Sequence, residues 1–116
     1  MEQLAVEKKL WESYFDSFNK RHHSRLARLQ VNDETGSHQT VKKMPLNGVV
    51  FDDSGIEIML ANGRLEEGNH YTHIVENPKK VIKDLSLNGM EEILVIVDEA
   101  GYTTTLSFEN LPELEA

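Results

Sequence analysis

The chain has 116 residues, a net charge of −8, 39% hydrophobic and 28% charged residues, and no cysteine. A chain of this size and composition reads as one globular domain with a single core. The missing thiols exclude disulfides, thiol chemistry and cysteine-ligated zinc. No apolar run approaches the roughly 18 residues needed to cross a bilayer, and "MEQLAVEKKLWESYF" has neither the basic start nor the apolar centre of a signal peptide, so no membrane partner and a cytoplasmic location are expected.

Leu4, Trp11, Phe15 and Phe18, widened by Leu10 and Tyr14, form one apolar stripe. The spacing predicts an amphipathic helix over 3–21 packed on a sheet. Its polar face mixes acids and bases, whereas a membrane-surface helix carries an excess of basic residues. After His23 the apolar period becomes two, and a β-rich body is expected over 24–109. "SRLARLQV" and "QTVKKM" flank the polar "NDETGSH" as a hairpin. "PLNG" reads as a turn into "VVFDD", and "DDSG" as a turn into "IEIML". "ANGRLEEGN" is a longer loop leading into the strand "HYTHIV", which Pro78 ends because proline cannot donate to a ladder.

Residues 78–85, "PKKVIKDL", fit a helical turn or a strand, and "LNGM" reads as a turn. "EEILVIVDEAGYTTTLSFE" is the clearest hairpin, with Ile93 to Val97 apolar on both faces, as in a central strand. The acidic tail 110–116 closes the chain. The whole is an α+β domain: one helix and about seven short, mainly antiparallel strands in a small roll or partly open barrel.

"LNGVVFDDSGIEIML" and "HYTHIVENP" carry a resemblance. A glycine opens a strand, an aspartate follows an aromatic, an alternating apolar strand comes next, and Tyr71, His73 and Pro78 follow in order. Residues 3–81 resemble the Sm-like fold, and the second segment is similar to the uridine-binding motif of the bacterial Sm-like RNA chaperone. The resemblance implies an Sm/SH3-like barrel that binds RNA through Tyr71 and His73 within a ring of subunits. Thr72 stands where that motif has a lysine, which removes a phosphate contact. The whole chain also resembles a small bacterial family known only as a domain of unknown function, on Trp11, Phe15, "MPLNGVVFDD", "HIVENP" and "LVIVDEAGYTTTLSF". That family implies a compact domain with no assigned activity.

Five histidines invite a metal reading. His70 and His73, three apart on a strand, point to opposite faces, and zinc needs three or four converging ligands, so neither a metal nor a cofactor is expected. Asp52 and Asp53 likewise diverge and read as turn acids. No GxSxG, P-loop or dinucleotide glycine pattern occurs, and no enzymatic activity is expected.

Residues 1–50 hold eight Lys/Arg against six Asp/Glu, while 51–116 hold four against fourteen. Lys20, Arg21, Arg25, Arg28, Lys42 and Lys43 form the one basic segment, 20–43, either a patch or a counterweight to the acidic second half. The acidic total makes a nucleic-acid partner unexpected. The reading is a non-enzymatic binding or self-association module, most simply a homodimer. The alternative is an Sm-like RNA-binding module using Tyr71, His73 and the basic segment.

Overall fold

In a computed structural model, residues 2–33, 35, 38–61, 70–85 and 91–109 are described. They hold strand β1 (Glu2–Val6), a 3-10 turn (Lys8–Leu10) and helix α1 (Trp11–His22). Seven further strands follow: β2 (Leu26–Asn32), β3 (His38–Asp52), β4 (Gly55–Ala61), β5 (His70–Val75), β6 (Pro78–Leu85), β7 (Glu92–Asp98) and β8 (Thr103–Phe108). The strands form one sheet in the order β1-β6-β7-β8-β2-β3-β4-β5. Every neighbouring pair is antiparallel.

The helix buries the predicted stripe from Trp11 onward, with Trp11, Phe15, Phe18 and His22 spaced four, three and four apart. They join Leu29, Leu46, Ile56, Ile58, Leu60, Leu94, Ile96 and Leu106 in one core. The expected start at residue 3 is corrected: residues 2–6 are an edge strand paired to β6. Leu4 and Leu10, counted into the stripe, are exposed. The indole N–H of Trp11 donates to the Val6 carbonyl at 2.8 Å, so the true first helical residue also anchors the end of β1. The helix ends at His22, and Ser24, whose φ of 73° lies in the left-handed region, turns the chain into β2.

Among the described residues the strands number eight rather than about seven, through two differences and one merger. The apolar spacing places residues 3–6 in the helix, but they belong to β1, and residues 78–85 are strand throughout. "PLNG" is no turn, because β3 runs unbroken through it. β3 pairs with β2 as far as Pro45 and with β4 from Leu46, with a register shift between Leu46 and Gly48. Proline is tolerated where a ladder is due to end. At this change of partner the Asn19 side chain brackets Val49, donating to its carbonyl at 2.9 Å and accepting from its N–H at 2.8 Å. The side-chain amide thus takes the part of a neighbouring strand. Pro78 begins β6 after the turn at Glu76–Asn77, where Asn77 has φ 52°. The hairpins β2–β3 and β7–β8 form as expected. The loop expected at 62–69, the turn at 87–90 and the tail at 110–116 lie outside the described residues.

The sheet folds over on itself. His73 on β5 reaches Thr104 on β8, with three strands between them in the order, and the Glu99 N–H of the β7–β8 turn donates to the Asn77 carbonyl at 3.0 Å.

Candidate functional site

β5 ends the sheet, with β4 as its one ladder neighbour among the described residues. Tyr71, His73 and Val75 turn inward while His70, Thr72 and Ile74 are exposed, the alternation a strand imposes. The two histidines therefore lie on opposite faces. Among the described residues no three His, Asp or Glu side chains converge as metal ligands do. The His73 ring nitrogen Nε2 lies 3.3 Å from the Thr104 hydroxyl. Burial lowers the His73 pKa, and the Asp98 charge opposes that shift. Beside this contact opens a cleft of about 410 Å³ lined by Val31, His73, Ile74, Asp98, Tyr102 and Thr104.

Gly55 locks the register of this edge. Its φ is +126°, and a Cβ there would stand 2.2 Å from the Val75 carbonyl oxygen. Only glycine permits that backbone and that approach.

Most cations of the basic segment have partners of their own. Arg21 donates to Glu92, through Nε at 3.0 Å and Nη2 at 2.8 Å, and also bonds Ser17. Arg25 donates to Nδ1 of His22 at 3.0 Å and lies 4.8 Å over the Phe108 ring. Arg28 bonds Gln30 at 2.7 Å. The β2–β3 register sets Arg28 opposite Lys43, and Lys43 pairs with Glu109 at 2.9 Å. Lys42 places its ammonium 5.1 Å over the Tyr71 ring, which brings together two of the residues singled out in the sequence. Lys20 is exposed on the helix.

The most heavily bonded polar group was not anticipated. Glu92 on β7 is buried, yet it accepts from the Tyr14 hydroxyl at 2.5 Å, from both Arg21 nitrogens and from Nε2 of His22 at 2.7 Å. Arg25 can only donate, so Nδ1 of His22 accepts and Nε2 carries the proton that Glu92 receives. His22 stacks on Phe108 with centroids 4.4 Å apart. Burial would raise the Glu92 pKa, but the bonds from His22, Arg21 and Tyr14 and the Arg21 charge outweigh it and hold the group at about 2. Burial, the bond to Glu92 and its charge push the Tyr14 phenol up, well beyond its ordinary range. A carboxylate held ionised with its acceptor directions filled is a strut between helix and sheet, with no proton to give. The available signal was phase: Glu92 falls in step with Leu94 and Ile96, the inward positions of its strand.

The chain belongs to the Family of unknown function (DUF5335), whose model matches residues 2–116. No curated protein and no solved structure matches it.

Proposed function

We propose that this domain is a non-enzymatic self-association module whose working surface is the outer edge of β5, unpaired among the described residues, and that its partner is a second copy of the chain. The observation that carries this reading is the edge itself. An unpaired edge strand presents a row of backbone donors and acceptors, and natural proteins guard such edges with charge, proline or bulges. β5, "HYTHIV", has no Asp, Glu, Lys, Arg or Pro, and its pairing with β4 runs without a bulge.

The strand is also held rigid for docking. Tyr71 and Val75 pack against the core, and the close fit of Gly55 under Val75 fixes its approach to β4. A preformed edge loses little conformational entropy on pairing. Two copies meeting edge to edge set no Asp, Glu, Lys or Arg of β5 against each other, and salt screens part of the domain's overall repulsion at −8. A two-fold dimer is the simplest closed assembly for such an edge.

Light scattering across a concentration series tests the proposal, with a dimer mass expected at micromolar protein. Ile74, 45% exposed, should tolerate substitution within about 0.5 kcal/mol of stability. Ile74→Lys is therefore expected to yield a folded monomer. A wild-type mass that stays monomeric to high micromolar concentration overturns the proposal.

A further inference from the structure

Resting on the β5 reading above, we infer that the two-fold axis of the dimer passes through Thr72, with Thr72 opposite Thr72 of the second copy, His70 opposite Ile74 and Tyr71 opposite His73. Two independent constraints select this register.

The first is parity. A two-fold axis perpendicular to the sheet keeps the inner face inner, and residues directly opposite in an antiparallel pair share a face. Tyr71, His73 and Val75 are inner and His70, Thr72 and Ile74 outer. An inner residue must therefore meet an inner one, and the axis must pass through a residue rather than between two.

The second is the direction of the backbone groups. The Val75 carbonyl oxygen lies where a Gly55 Cβ would stand, so it points toward β4. Backbone groups alternate sides along an antiparallel strand. Tyr71, His73 and Val75 accordingly bond β4, while His70, Thr72 and Ile74 turn their N–H and C=O groups to the free edge. An axis on Thr72 matches all three free residues in reciprocal hydrogen-bonded pairs: His70 with Ile74, Thr72 with itself, Ile74 with His70. An axis on Tyr71 or His73 matches only two of the three within the strand. It also sets two phenols, or two half-buried imidazoles, against each other. Extension past Val75 is closed off, since Asn77 at φ 52° turns the chain into β6.

The Thr72 register also changes what the cleft beside His73 contains. The Tyr71 ring of the second copy comes to lie across from His73, so each His73 is covered partly by its own Thr104 and partly by the neighbouring chain. Each half-site is incomplete without the other copy.

The chain has no cysteine, so single cysteines report on the register without background. Cα atoms of a hydrogen-bonded antiparallel pair sit roughly 5.5 Å apart, within the roughly 4.4–6.8 Å that a disulfide spans. Tyr71→Cys, Thr72→Cys, His73→Cys and Ile74→Cys are made separately, oxidised at a concentration where the wild type is dimeric, and run on non-reducing gels. Only the Thr72→Cys protein is expected to form a covalent dimer. A cross-link at one of the other three positions instead shows the β5 interface with a different axis and overturns the register alone. A dimer that cross-links at none of the four overturns the register and the β5 surface together. A monomeric wild type in the same light-scattering run removes both.

Discussion

Glu92 gathers Tyr14, Arg21 and His22 around one buried carboxylate, although 71 positions separate it from Arg21 in the chain. Its consequence is pH dependence. The folded pKa is depressed from an ordinary 4.5 to about 2, so the stabilisation is complete above pH 4.5 and is lost as pH falls through the interval to about 2. A shift of that size corresponds to about 3 kcal/mol. Urea unfolding followed between pH 7 and 2 should show a flat upper region and a decline over that acid window. Glu92→Gln should remove this group's part of the decline and cost on the order of 3 kcal/mol at pH 7, toward the lower end for a broken buried pair because the Arg21 side chain is 43% exposed and can rehydrate. A variant as stable as the wild type, with the same acid profile, would show that the carboxylate is not the strut described. Glu92 shows why the polar centre was hidden: an acid among apolar residues announces its burial only once the strand's phase is known, and the partners that make burial tolerable lie on a distant helix. His73 was legible as a strand residue facing inward, but the Thr104 hydroxyl it meets was not.

Among the elements, the legible ones had periods that their own residues complete. Ile56, Ile58 and Leu60 of β4, and Thr104, Leu106 and Phe108 of β8, are inward as alternation requires. β1 and β6 were missed or left open because each is defined by the other. Glu2–Val6 pairs with Val81–Leu85, and a five-residue segment carrying Leu4 seven places before Trp11 satisfies a helical stripe equally well. "PLNG" has turn composition, yet the chain passes straight through it because the β2 ladder ends and the β4 ladder begins there, with Asn19 bridging the change. Gly55 is where local composition and tertiary demand coincide. Its sequence context is turn chemistry, and the fold requires it twice, for φ +126° and for the close approach to the Val75 carbonyl oxygen. Gly55→Ala should therefore cost about 3 kcal/mol through strain and steric conflict, read as a lowered urea midpoint. It should also weaken the dimer by displacing β5. Wild-type stability in this variant would mean that the β4–β5 junction relaxes freely, and the rigidity ascribed to the edge would be lost with it.

At the scale of the whole molecule, charge favours the proposed self-association over the RNA binding that the Sm-like resemblance implies. Lys20, Arg21, Arg25, Arg28, Lys42 and Lys43 would need to act together to hold a phosphate backbone, because affinity for polyanions grows with the number of phosphates neutralised. The fold gives most of them other partners. Arg21 and Lys43 are paired with carboxylates from the acidic second half, Arg25 lies on Phe108, and Lys42 covers the Tyr71 ring on which a base would stack. His73 is half-buried, and burial disfavours its charged form. Around these groups the net charge of −8 repels an approaching polyanion over a Debye length of about 8 Å at physiological salt. Fluorescence anisotropy of labelled uridine-rich RNA at about 150 mM salt should therefore show no saturable binding up to tens of micromolar protein. Any binding gained at low salt should be indifferent to Tyr71→Ala. Tight, saturable binding at physiological salt that Tyr71→Ala abolishes would reverse the choice, since it would require Lys42 to leave the Tyr71 ring and the base to take its place.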